Sequence, residues 1–161
     1  MSREMHIVGF RVGRELFGVP IHLVHEIVRV PEITSVPDAP GCVEGVINLR
    51  GRIVPVLDLR KRFGEREIRP HKKNRILVAE LDGRMVGLVV DAASEVLKLP
   101  ETEIEPAPGV FQEGKRSYVT GVGKLDSRLV ILVDLARVLE RGELRQLAET
   151  AETAAASAAA R

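Results

Sequence analysis

The feature that most constrains this chain is an internal repeat. Glu26-Ile27-Val28-Arg29-Val30-Pro31-Glu32 is matched 69 residues later by Glu95-Val96-Leu97-Lys98-Leu99-Pro100-Glu101, and Gly18 falls on Gly87 at the same spacing. Further on, Gly45-Val46 matches Gly121-Val122 and Leu49 matches Leu125. Arg52-Ile53-Val54-Pro55-Val56-Leu57-Asp58-Leu59 matches Arg128-Leu129-Val130-Ile131-Leu132-Val133-Asp134-Leu135, now 76 residues apart. The change of spacing puts a seven-residue insertion in the second copy, near Pro108 to Ser117. Two β-rich stretches can look alike by chance. Gly, Pro, Glu and Asp landmarks in one order do not arise that way, so the chain is read as a duplication.

Each copy is strand-rich. Residues 6–12 and 15–21 read as a hairpin around Gly13-Arg14. Residues 22–30 suit a short helical turn running into a strand, and 31–41, with Pro31, Pro37, Pro40 and Gly41, is a loop. Residues 43–49 and 52–57 are strands flanking Arg50-Gly51. Asp58 is placed to cap a short helix, Leu59 to Phe63, that Gly64 ends. A charged linker covers 65–73, and the pattern resumes at Arg75. Aromatic residues are only 3% of the chain and Trp is absent, so Val, Ile and Leu must build the core. Their stiff, branched side chains favour pleated surfaces. About 65 residues per copy are too few for two large sheets, and a small closed barrel removes exposed edges.

The expected fold is therefore mainly β: two pseudo-repeated barrels of about five strands, packed together with short helices, in a single domain over 1–161. The barrels are expected at about 6–66 and 74–141, and the sequence leaves open whether strand 6–12 crosses to the other one. Glu143 to Ala148 is expected to be helical and the Ala-rich tail, 148–161, to be flexible.

Little in the chain suggests catalysis. The longest apolar run, Leu129 to Val133, is far short of the roughly 20 residues that span a bilayer. No apolar stretch follows Met-Ser-Arg-Glu-Met-His, so no secretory signal is expected and a cytoplasmic location is. Cys42 is the single cysteine, which excludes an intrachain disulfide and a thiolate-rich zinc site. His22-x-x-His25, with His6 and His71, has no acidic residue at ligand spacing, so no metal is expected. Nucleophile-elbow and phosphate-loop motifs are absent. Asp58 and Asp134 stand at equivalent places, which makes them helix caps rather than a catalytic pair. No cofactor and no enzymatic activity are expected.

The net charge of +1 is unevenly spread: residues 50–75 hold ten Arg or Lys against three acids. Such a run is a solvated face or a docking surface for an acidic partner. A barrel pair that binds nucleic acid or another acidic polymer through 50–75 is the alternative reading. Against it, Phe63 is the only aromatic residue in that segment available for base stacking. The repeat is a sharper tool, because features shared by both copies serve the fold and one-sided features are candidates for function. Arg50-Gly51 becomes Asp126-Ser127, Asn48 becomes Lys124, and Val24-His25 becomes Ala93-Ser94. An arginine at a hairpin tip has no evident folding duty, and its planar fork suits recognition of carboxylates or carbonyls.

Val24-His25-Glu26-Ile27, Ile33-Thr34-Ser35-Val36-Pro37 and, above all, the run from Gly45-Val46-Ile47-Asn48-Leu49-Arg50-Gly51 through Arg60 resemble the CheW family of bacterial chemotaxis coupling proteins. Val86 to Asp91 and Leu129 to Asp134 agree with it too, and the likeness covers about residues 6–140. With no receiver or kinase segment in the sequence, it resembles a stand-alone member. The resemblance implies two five-stranded SH3-like barrels and a non-catalytic adaptor in two-component signalling. It would join the cytoplasmic tip of methyl-accepting chemoreceptors to the CheW-like regulatory domain of a CheA-type histidine kinase, and build rings with other CheW-like proteins. The resemblance places receptor contacts at Val24, Glu26, Gly45 and Arg50, with Ile21 and Ile27 extending the apolar part and Asn48 and Gly51 shaping the turn. It does not place the kinase contact residue by residue. It implies no nucleic-acid partner and no direct membrane insertion, with recruitment to membrane-associated receptor arrays. The Arg-rich stretch 60–75 and the Ala-rich tail depart from the family pattern and point toward a specialised pathway, such as other motility or development.

Overall fold

The computed structural model describes residues 3–37, 39, 41, 43–107, 118–139 and 143–159. Cys42 and the expected insertion at 108–117 lie outside the described residues. The strands are β1 (Glu4–Val12), β2 (Glu15–Pro20), β3 (Val24–Arg29), β4 (Val43–Leu49), β5 (Arg52–Asp58), β6 (Arg75–Leu81), β7 (Arg84–Val90), β8 (Ala92–Pro100), β9 (Ile104–Pro106), β10 (Val119–Leu125) and β11 (Arg128–Val133). Three helices, α1 (Leu59–Arg62), α2 (Leu135–Val138) and α3 (Glu143–Ala159), follow strands β5 and β11. Asp58 accepts the Arg60 N–H at 2.9 Å and Asp134 accepts the Ala136 N–H at 3.0 Å, so both aspartates cap their helices.

The described strands form two sheets. One has the order β3-β6-β7-β5-β4, the other β8-β1-β2-β11-β10-β9. This corrects the expected division at 6–66 and 74–141, because each copy lends its first hairpin to the other. Hairpin β1–β2 lies among second-copy strands, and hairpin β6–β7 among first-copy strands. The exchange is open to these strands because they are apolar on both faces. In β6, Ile76 and Val78 face the core of the five-stranded sheet, while Leu77, Ala79 and Leu81 face the joint between sheets. In β1, Ile7 faces one core and Val8, Phe10 and Val12 the joint. Strands buried on both faces read as near-continuous apolar runs.

Three cores result. Ile47, Val54, Val56, Ile76, Val78 and Val89 fill the five-stranded sheet, with Val28 of its edge strand packed against them. Ile7, Leu97, Leu99, Val130 and Leu132 fill the other. The largest lies between them and carries a row of aromatic rings, Phe10–Phe17, Phe17–Phe63 and Phe63–Tyr118, with centroids 4.7 to 5.7 Å apart. The duplication extends to irregularities. Bulges leave His25 of β3 and Glu44 of β4 without a cross-strand partner. Bulges leave Ser94 of β8 and Thr120 of β10 in the same state, at the 69- and 76-residue spacings.

The tail differs from expectation. Helix α3 continues through Ala159 rather than stopping near Ala148. Leu147 is fully buried and Thr150 buried, which docks the helix against β5 and β4. Alanine's intrinsic preference carries it onward.

Candidate partner-binding site

β3 and β4 are the outer strands of the five-stranded sheet, yet Glu26 of β3 and Arg50 of the β4–β5 turn form an ion pair. The sheet curls until its edges face each other, and this pair spans the closure. A second tie lies farther along: Thr34, beyond β3, bridges Val46 of β4 through two backbone hydrogen bonds of 2.9 Å.

Each functional side chain gets its place from local rules. Strand alternation puts Glu26 on the same side as Val28, toward the barrel interior. Its side chain is 20% exposed, and one carboxylate oxygen, Oε1, is buried with no partner among the described residues. The other oxygen accepts from Arg50, whose side chain is 72% exposed. Arg50 and Gly51 have φ of +50° and +87°, as a two-residue type I′ hairpin turn requires. Gly51 donates its N–H to Asn48 Oδ1 at 2.8 Å. Non-glycine residues in this left-handed region carry a penalty of about 1 kcal/mol, which Asn and Asp bear best. The second copy has Asp126 there, at φ +55°. The first copy holds an arginine in spite of that penalty.

Val24 opens β3 and packs against the joint core. Ile21 and Ile27 are exposed, on the turn before β3 and on its outward side. The structure therefore gathers Ile21, Val24, Glu26 and Ile27 on one segment, with Arg50 reaching it from the opposite edge. Gly45 is not brought there. It lies five residues from the Arg50 tip along β4, about 16 Å at normal strand rise. At φ +152°, any Cβ on it would stand 2.3 Å from the Thr34 carbonyl oxygen, so it is the floor on which the Thr34 bridge rests. Sequence reasoning missed Val30, which is exposed on the same segment although its repeat counterpart Leu99 is fully buried. The repeat itself concealed it.

Part of the basic segment is engaged in internal contacts. Arg60 is buried and forms a bidentate pair with Asp58, both contacts at 3.0 Å, with further bonds to Asn74 at 3.3 Å and Asp91 at 3.4 Å. Asp91 in turn accepts the Gly13 N–H at 2.7 Å, so this network pins the 69–74 linker to both hairpins. Burial disfavours the Arg60 charge, but hydrogen bonds to and the charges of Asp58 and then Asp91 outweigh it and hold the guanidinium above its ordinary pKa. Lys61 pairs with Glu44, Arg62 with Glu143, and Arg75 donates to the Lys72 and Asn74 carbonyls. These four cations serve the fold, while Arg52, Arg66, Arg69, Lys72 and Lys73 are exposed.

Comparison with known proteins agrees with this architecture. The model of the CheW-like domain family matches residues 6–143. A chemotaxis protein CheW of Rhizobium meliloti is 38% identical over 137 residues, covering 85% of this chain and 88% of that protein. Protein FrzA of Myxococcus xanthus is 27% identical over 147 residues, covering 90% and 91%. The crystal structure of the scaffolding protein TtCheW from Thermoanaerobacter tengcongensis superposes with a TM-score of 0.78 at 40% identity, covering 86% of this chain and 94% of that one.

Proposed function

The chain belongs to the CheW-like family of chemotaxis coupling scaffolds, and we propose that it joins the cytoplasmic tip of a methyl-accepting chemoreceptor to the regulatory domain of a CheA-type histidine kinase. The observation that carries the receptor half is the Glu26–Arg50 pair, set beside exposed apolar side chains at the closure of one barrel. A helical receptor tip needs apolar anchors and polar groups at the rim. Val24, Ile21 and Ile27 supply the first. Arg50 supplies the second: its guanidinium has five N–H donors, so it can hold Glu26 and still reach a receptor carboxylate or carbonyl. The unpartnered Glu26 Oε1 would accept a donor when Arg50 swings toward the receptor. Asn48 and Gly51 set the turn, and Gly45 acts through Thr34 rather than by touch.

The kinase half falls to apolar edge strands. Val96 of edge strand β8, the repeat counterpart of Ile27, is 57% exposed. Barrel-to-barrel contact of that kind extends to rings of CheW-like domains. Two modest interfaces on one rigid body gain strength from multivalency in a clustered array. Such a role needs no reaction and no cofactor. No helix among the described residues is long and apolar enough to cross a membrane. Placement is therefore proposed to be cytoplasmic, with recruitment to membrane-associated receptor arrays. The acidic-polymer alternative draws no support from the relatives, and Arg60 and Arg62 of its basic segment are tied to Asp58 and Glu143.

The test is calorimetric titration of the chain with the kinase regulatory domain and, separately, with a receptor tip fragment from the same organism. One-to-one saturable binding to both is expected. Folded Arg50→Ala should keep the kinase and lose at least tenfold in receptor affinity, the scale of an interface hot spot. Receptor binding by Arg50→Ala as tight as that of the wild type would remove Arg50 from the site.

A further inference from the structure

The repeat relates two grooves as well as two sheets. β5 and β7 run parallel with Val56 opposite Gly87. β11 and β2 run parallel with Leu132 opposite Gly18, the same pair under the repeat. A groove lies over each junction. The first is lined by Arg52, Ile53, Pro55, Arg84, Met85 and Val86. The second is lined by their counterparts Arg128, Leu129, Ile131, Glu15, Leu16 and Phe17.

The first groove is filled. Helix α3 lays Leu147, Ala148 and Ala151 into it, and about 150 Å³ of space remains. Among the described residues no second helix fills the other. It is a cavity of about 490 Å³ reaching Tyr118, Val119 and Val122, and Leu129 on its wall is 60% exposed. An exposed leucine at the place where its counterpart Ile53 is covered by a helix marks a seat without its occupant.

We propose that this second groove docks an amphipathic helix from a partner protein, with a leucine anchor, small flanking residues and an acidic flank. The filled groove supplies the template, since equivalent strands in equivalent register already hold such a helix. Charge gives the same answer. Helix α3 carries Glu143, Glu149 and Glu152 against Arg145, and its groove is lined by Arg52 and Arg84. The open groove carries exposed Arg11 and Arg14, with Arg128 beside Glu15. The seat is on the six-stranded sheet, and its lining includes none of Ile21, Val24, Glu26, Ile27 or Arg50, so it is a different set of residues from the proposed receptor contact.

The test uses the isotope-labelled full-length chain and, as probe, a capped synthetic peptide of residues 143–159. Saturable one-to-one binding is expected, with backbone NMR shifts at Phe17, Leu129 and Ile131. Leu129→Glu, at an exposed position, should leave folding intact and weaken binding at least tenfold. Arg11→Glu with Arg14→Glu should weaken it and flatten its salt dependence. Absence of saturable binding overturns the proposal. So do binding that Leu129→Glu leaves unchanged, shifts confined to Ile53 and Val54 (the peptide then merely replaces α3), or contacts showing the groove held by residues 108–117 of the same chain.

Discussion

Arg50 is held where an arginine is a poor choice for the turn. Its left-handed φ would suit Asn, and Asn-Gly is the commonest filling of such a hairpin turn. Its pair with Glu26 is largely exposed at the Arg50 end, and exposed pairs contribute about 0–1 kcal/mol. The relief of backbone strain and the lost pair therefore nearly cancel. Arg50→Asn should unfold in urea within about 0.5 kcal/mol of wild type, while losing receptor affinity as Arg50→Ala does. Stability well below that would mean the arginine holds the barrel closed rather than serving a partner. The neighbouring glycines separate by the same logic. Gly51 has positive φ but open space around its Cβ position, so Gly51→Ala should cost only about 1 kcal/mol. At Gly45 a Cβ would meet the Thr34 backbone, so Gly45→Ala should cost more, about 2–3 kcal/mol, and free the Thr34 bridge. Amide exchange at Val46, whose N–H the Thr34 carbonyl accepts, reads this directly: it should quicken in Gly45→Ala and not in Gly51→Ala.

Helix α3 shows how a short apolar signal can position an element. Its sequence has no long stripe, which is why only its first turns were expected. Among the described side chains of α3, Leu147 alone is fully buried, inside the joint core. Leu147→Ala should lower unfolding free energy by about 3 kcal/mol, measured by urea titration, with α3 losing amide protection before the sheets do. An equal loss of protection everywhere would mean that α3 belongs to the cooperative core. Other elements were legible because their cause is local. Asp58 and Asp134 announce their caps, and Arg50-Gly51 announces a hairpin tip. Arg60 was hidden for the opposite reason: three basic residues in a row look solvated, and only the fold brings Asp91 and Asn74 to the first one. The sequence signal was Asp58-x-Arg60, a carboxylate two residues from a guanidinium, which is weak without the distant partners.

The exchange of hairpins governs the molecule as a whole. The repeat was legible from its Gly, Pro and Asp landmarks, but partner choice was not. Strand register is specified where one face is polar and the other apolar. β1 and β6 are apolar on both faces through most of their length, so either barrel could accept either hairpin by pattern alone. The choice is made by the joint core, where Phe10 and Phe17 of one hairpin meet Phe63 and Tyr118. The energetic consequence is that neither copy contains a complete barrel. Residues 1–66 lack the β6–β7 pair at the centre of the β3-β6-β7-β5-β4 sheet, and residues 67–161 lack β1–β2 at the centre of the other. Fragments 1–66 and 67–161, made separately, should therefore show no cooperative thermal transition by circular dichroism. Mixed in equal amounts they should regain one, because every strand pairing is then available. The intact chain should unfold in a single transition that coincides by Tyr118 fluorescence and by far-ultraviolet signal. Long-range pairing of this kind also slows folding, since loop closure comes before the contacts that reward it. A cooperative transition in either fragment alone would mean that a copy can close on its own hairpin, and that the exchange is one of two accessible pairings. The rigidity needed to hold receptor and kinase in fixed relation would then have to come from the partners, and the exchanged hairpins would no longer explain why two small barrels behave as one coupling body.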